Sequence, residues 1–100
     1  MRFYLSNLAE RDLEEIIDYI ARDNRHRAVT FAQELLVQCE KISYAPVAYP
    51  SRDNLSAGLR VAPYGDYLIF YRVRQNEMLI ERILHGARDI AAVFNKGPLK

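Results

Sequence analysis

Cysteine is nearly missing from this chain. Cys39 is the only one, so no internal disulfide can form and no cysteine-based metal cluster can assemble. Histidine is almost as scarce, and His26 and His85 do not form a pair with zinc-motif spacing. No apolar run approaches the roughly 20 residues needed to span a bilayer. The start, Met1-Arg2-Phe3-Tyr4-Leu5-Ser6, lacks the long apolar region and small-residue cleavage site of a secretory signal. A cytoplasmic protein with no membrane association is therefore expected. Gly-rich phosphate loops, a Ser/His/Asp set, internal repeats and low-complexity segments are absent too, and no cofactor or metal is expected. Glu14 and Glu15 are neighbours on a predicted helix and point in different directions, so they make no carboxylate pair. A large net charge is also lacking: +1 is too little for a general nucleic-acid binder.

What is present is enough for one domain spanning residues 1–100, half of it hydrophobic and about a quarter charged. The charge is unevenly placed. Residues 1–50 hold 6 Lys+Arg against 8 Asp+Glu, whereas residues 51–100 hold 8 against 5. Positive potential thus gathers in the second half, which suits an acidic partner segment or a phosphate-bearing target. For any single residue, a solvated surface charge is the plainer reading.

The first half reads as a strand and two helices. Phe3 and Leu5 alternate with polar residues over Arg2–Ser6. Asn7 offers an N-cap oxygen with Glu10 three residues on, and Ala9, Leu13, Ile16, Ile17 and Ile20 form an apolar stripe, predicting a helix over about 8–22. Asp12, Glu14, Glu15 and Asp18 are assigned to its other faces. After the Asp23-Asn24 break, Ala28, Ala32, Leu35, Cys39 and Ile42 recur at spacings of four and three, predicting a second helix over about 25–43. The short connector makes the two an αα-hairpin. Cys39 lies in the apolar seam and reads as a buried, inert thiol. Arg25, His26 and Arg27 open the second helix, where cations oppose the dipole, and read as a solvent-facing cluster in preference to a contact patch for an anion or an acidic protein.

Residues 45–57 carry Pro46, Pro50, Asp53 and Asn54 and read as a loop ending at Gly58. Three strands follow: Leu59–Ala62, with Pro63 confined to an end or an edge; Tyr67–Val73, nearly all apolar and hence central; and Met78–Leu84. Tyr64-Gly65-Asp66 and Arg74-Gln75-Asn76 are the turns of this antiparallel meander. Gly86 ends the last strand, and 89–95 resembles a short helix closed by Gly97-Pro98. The fold class is α+β: a strand, an αα-hairpin, a three-stranded antiparallel meander and a short C-terminal helix.

Arg72, Arg82 and Arg88 fall inside or just after strands, where packing alone favours apolar groups. Metal-free RNA cleavage needs a group to activate the 2′-hydroxyl, a cation for the phosphorane and an acid for the leaving oxygen. Those arginines with His85 could supply the set. The plainer reading has His85 ending a strand on a backbone hydrogen bond, with the arginines paired to Glu77, Glu81 and Asp89.

The order of elements, together with Arg60, the run Tyr67-Leu68-Ile69-Phe70-Tyr71-Arg72-Val73 and the ending Arg82-Ile83-Leu84-His85-Gly86-Ala87-Arg88-Asp89, resembles the ParE branch of the RelE/ParE toxins over almost the full length. The resemblance implies a toxin of a type II toxin-antitoxin system, neutralised in a hetero-oligomer by a cognate ParD-like antitoxin and serving plasmid or chromosome stabilisation. ParE proteins are understood to poison DNA gyrase by trapping it on cleaved DNA, whereas RelE proteins cut mRNA on the ribosome. The RelE pattern has an arginine where Leu68 stands and a tyrosine where Phe94 stands, while Arg88 matches the retained arginine. Leucine cannot stabilise a phosphorane and phenylalanine has no hydroxyl for proton transfer. The expectation is thus a protein-binding gyrase poison acting through Arg82, His85, Arg88, Asp89 and Phe94 and leading to growth arrest. The alternative is a ribosome-dependent nuclease using Arg72, Arg82, His85 and Arg88. Antitoxin contacts are expected on Leu13, Ile17, Ile20, Leu35, Leu36, Arg60 and Arg72, the apolar stripes and basic strands making a groove for an acidic amphipathic segment.

Overall fold

A computed structural model describes residues 1–95. Strand β1 (Arg2–Leu5) leads into helices α1 (Asn7–Ala21) and α2 (Arg25–Tyr44). A 3-10 turn (Pro46–Ala48) and a loop precede β2 (Arg60–Tyr64), β3 (Tyr67–Arg74) and β4 (Glu77–His85), and α3 (Ile90–Phe94) follows. The α+β class and this order are those expected. The closing Gly97-Pro98 lies outside the described residues.

One cap is a correction: Ser6, not Asn7, caps α1. Its hydroxyl accepts the Ala9 N–H at 3.0 Å and donates to the Glu81 carbonyl at 2.9 Å. A hydroxyl can do both at once, so the same residue starts the helix and ties its origin to β4. Asn24 caps α2 through a bond from the Arg27 N–H at 2.9 Å. Cys39 is fully enclosed, and burial pushes its thiol up to about 12.

The sheet runs β1-β4-β3-β2, antiparallel except that β1 pairs parallel to β4, Leu5 standing opposite Ile80. The sequence reading left β1 without a partner, because this pairing joins segments more than 70 residues apart. Pro63, whose ring leaves no N–H for a ladder, sits within β2 at the outer edge. Both helices lie on one face, where Ile16, Phe31, Leu35 and Ile42 pack with Ile69, Tyr71, Met78, Ile80 and Ile83. On the opposite face Leu59, Phe70 and Leu84 are covered by Leu55, Ile90, Val93 and Phe94. Strand β3 is therefore buried on both sides, which explains its unbroken apolar run. A bulge shifts the β3–β4 register so that Phe70 faces Arg82 while Tyr71 faces Ile80. The extra residue, Glu81, lets Ile80 and Ile83 enter the same core although they are three apart. Among the described residues no helix is long and apolar enough to cross a membrane.

The β3–β4 turn holds Gln75 at φ 53° and Asn76 at φ 63°, the left-handed pair of a two-residue hairpin. Glutamine is poorly suited there. Replacing the pair by Asn-Gly (Q75N with N76G) should raise stability by about 1 kcal/mol, and thermal unfolding should move up about 4–8 °C.

Candidate functional site at the open end of the sheet

Strand β1 stops at Leu5, so β4 has a strand partner on that side only as far as Ile80. Beyond this point the Ile83 N–H faces α1 instead, and Asp12 Oδ2 accepts it at 2.9 Å. Asp12 is 6 % exposed, which corrects its assignment to a solvent-facing side of the helix. It falls three residues after Ala9 and four before Ile16, within the buried stripe. Its burial is tolerated because Arg82 clamps it: Arg82 Nε and Nη2 donate to the two carboxylate oxygens, each at 2.8 Å. The same hydrogen bonds hold the Arg82 guanidinium above its ordinary pKa.

The other interior arginines are likewise occupied. Arg72 pairs with Glu81 and also donates to Ser56 Oγ at 2.8 Å and to the Ala57 carbonyl at 2.6 Å. Arg60 donates to the Tyr49 carbonyl at 2.6 Å, holding the chain that follows α2. Only the Arg72–Glu81 pair was among the partners expected from sequence. Arg82 takes its acid from a helix 70 residues earlier.

His85 and Arg88 are different. Both are exposed, and they line one cleft of about 170 Å³ with Asp12, Glu15, Tyr19 and Tyr67. His85 Nδ1 accepts the Ala87 N–H at 3.0 Å, so the neutral ring carries its proton on Nε2. The ring stands edge-on to Tyr67, with centroids 5.2 Å apart. Next to it the Gly86 N–H donates to the Asp66 carbonyl at 2.8 Å, locking the strand end against the β2–β3 turn. Among the described residues Arg88 makes no ion pair. Asp89 caps α3, accepting the Ala92 N–H at 3.2 Å. Phe94 packs on Phe70 at 5.0 Å between centroids and lines a second groove with Leu8, Leu79 and Arg82. The Asp12–Arg82 pair is the wall between the cleft and the groove.

The expected site residues are thus split. His85 and Arg88 come together, Arg82 and Phe94 share the neighbouring groove, and Asp89 joins the two as a cap. Tyr19 and Tyr67 were missed. The row Asp12, Ile16, Tyr19 at helical spacing would have exposed the first. Leu68, where the RelE pattern has arginine, is packed in the apolar cluster around Phe70. Of the helix residues, Leu35 is fully enclosed and has no surface to offer a partner. Leu13 and Ile20 pack against the core, Ile17 is half-buried, and Leu36 is exposed. Among the described residues no group of three metal-ligating side chains comes together.

The family description that matches residues 3–90 is the ParE toxin of type II toxin-antitoxin systems of the parDE kind. The chain belongs to this family of toxins. It is 33 % identical over 91 residues to Toxin ParE1 of Caulobacter vibrioides, covering 90 % of this chain and 94 % of that one. The fold matches a solved chain of a chromosomal ParDE toxin-antitoxin system from P. aeruginosa, with TM-score 0.71, 22 % identity, and coverage of 85 % of this chain and 95 % of that chain.

The two kinds of arginine separate in a denaturation experiment. Asp12→Ala strands the Arg82 charge and the Ile83 N–H, and should cost about 3 kcal/mol. Arg88→Ala should cost less than about 0.5 kcal/mol, as an exposed substitution away from packing. Urea unfolding followed by circular dichroism reads both.

Proposed function

We propose that this ParE-family chain inhibits DNA gyrase by binding it and trapping its complex with cleaved DNA, and that a ParD-like antitoxin encoded with it neutralises it in the cytoplasm. The family supports the target class. One observation supports binding over cleavage: two of the four groups a nuclease would use are consumed inside the fold, Arg72 by Glu81 and Arg82 by Asp12. A guanidinium already forked to a carboxylate is not available to stabilise a phosphorane. What remains outward is Arg88 with His85, a rim set against Glu15 and the Tyr19 and Tyr67 rings. That rim suits docking to a protein or protein–DNA surface, with Asp89 and Phe94 fixing the segment that carries it. For the antitoxin, Leu36 is the exposed one of the expected apolar positions on the helical hairpin, with Leu13, Ile17 and Ile20 half-buried. Arg60 and Arg72 contribute by holding the loops beside β2 and β3 rather than by their charge.

Purified chain in molar excess should abolish supercoiling by gyrase and accumulate cleaved DNA. Arg88→Ala and His85→Ala should each weaken the effect about tenfold while leaving the unfolding curve in place, an apparent loss of roughly 1.4 kcal/mol of binding. Unchanged supercoiling with no cleaved DNA at high excess would sink the proposal. Codon-positioned cuts in translated mRNA, read by primer extension after induction, would instead establish the nuclease alternative. The product of the adjacent reading frame should co-purify with the chain and relieve the inhibition.

A further inference from the structure

The ladder of β4 is unfinished on the side that β1 leaves open. Along a strand, successive residues turn their N–H and C=O alternately toward one neighbour and the other. The Gly86 N–H meets the Asp66 carbonyl on the β3 side, and the Ile83 N–H meets Asp12 on α1. These two bonds fix the alternation: Leu84 and Gly86 face β3, whereas Ile83 and His85 face the cleft beside α1. Two of the backbone groups facing that cleft are occupied. The Ile83 N–H is taken by Asp12, and the His85 C=O accepts the Arg88 N–H at 3.0 Å. Among the described residues nothing bonds the other two, the Ile83 C=O and the His85 N–H. Ile83 is 1 % exposed, so its carbonyl lies where an unpaired acceptor is costly.

The two free groups select what fits them. In a parallel pair, one residue of the added strand gives its N–H to a carbonyl of its neighbour and accepts the N–H two residues further on. Strand β1 pairs with β4 in this way upstream, where the Ser6 N–H reaches the Ile80 carbonyl at 2.9 Å. The Ile83 C=O and the His85 N–H are the same kind of pair, set on either side of Leu84. An antiparallel partner would need both groups of one residue, and in Ile83 and His85 alike one of the two is taken. A phosphate offers acceptors only, so it leaves the Ile83 carbonyl unmet, and the Glu15 carboxylate lining the cleft opposes its charge. A peptide unit supplies both a donor and an acceptor. Upstream, Ser6 and Asp12 already occupy the edge, so a single residue can pair, in keeping with a cleft of about 170 Å³.

We infer that one residue of an extended segment of the target protein docks in this cleft parallel to β4, hydrogen-bonded through its main chain to Ile83 and His85. The inference rests on the gyrase reading for the identity of that protein, because Arg88 and His85 line this cleft. Leu36, the exposed position expected to meet the antitoxin, does not line it. Arg88 and the Tyr19 and Tyr67 rings then meet the side chains of the segment, while the two main-chain bonds set its direction.

Hydrogen–deuterium exchange of the purified chain, alone and with gyrase and DNA in excess, reads the His85 N–H once the quenched sample is fragmented to single residues. Exchange at His85 should slow at least about tenfold in the complex. The gyrase-trapping assay supplies a second measurement. His85→Ala removes the ring and keeps the N–H, whereas His85→Pro removes both at a strand position whose N–H points away from the sheet. His85→Pro should trap about tenfold more weakly than His85→Ala, the effect of one lost hydrogen bond, with the same thermal unfolding midpoint. If His85→Pro unfolds early, the exchange measurement on the unaltered chain decides alone. Trapping by the unaltered chain with no slowing at His85, or with two folded variants of equal potency, would overturn the inference and leave the gyrase reading standing. No trapping by the unaltered chain would overturn both. Slowing at His85 by the product of the adjacent reading frame, and not by gyrase, would give the segment to the antitoxin and overturn the inference.

Discussion

The carboxylate of Asp12 is what the open end of this molecule depends on. Strand β1 is too short to pair the whole of β4, and a buried strand edge with an unsatisfied N–H costs about 1–3 kcal/mol. Asp12 supplies the missing acceptor from a helix rather than a strand. A lone buried carboxylate would be costlier than the N–H it satisfies. Arg82 resolves this by capping both oxygens from the far side of the strand. Three otherwise unfavourable features then stabilise each other: an incomplete ladder, an acid in an apolar stripe and an arginine inside a strand.

From that node the rest of the site follows. With α1 anchored to β4 at Ser6 and again at Asp12, Tyr19 is carried to the end of the sheet beside Tyr67 and His85. The bulge at Glu81 directs that residue's carboxylate to Arg72, and this pair holds the Ser56–Ala57 loop over the opposite face. Arg60 does the same for the Tyr49 segment. The fold thus consumes Arg60, Arg72 and Arg82 for assembly and leaves Arg88, just beyond the last strand, exposed.

Much of this was legible in the sequence. Helical spacing placed α1 and α2 within two residues of their ends, and the near-continuous apolar run identified β3 as central. Gly65 and the Gln75-Asn76 pair marked the turns, both with positive φ in the structure. The run Tyr67-Leu68-Ile69-Phe70-Tyr71-Arg72-Val73 and the ending at His85-Gly86-Ala87-Arg88-Asp89 were together enough to point to the family. What could not be read were the pairings between distant segments. The parallel match of β1 to β4 and the bond from Arg82 to Asp12 join residues some 70 apart, and no local pattern encodes them. Asp12 itself was hidden by its type, since an acid among polar residues on a helix reads as surface even when its spacing says otherwise. Leu35 was read correctly as part of a seam, but a seam position that meets the core cannot also meet a partner.

The central proposal is that Arg60, Arg72 and Arg82 build the fold while Arg88 meets the target. The most direct test measures gyrase-trapping potency and unfolding free energy on the same alanine variants of Arg60, Arg72, Arg82 and Arg88. The account predicts that potency falls with stability for the first three, while Arg88→Ala lies off that line, as stable as the parent yet weak. An Arg88→Ala variant that keeps full potency, or loses it only in proportion to stability, would contradict the account.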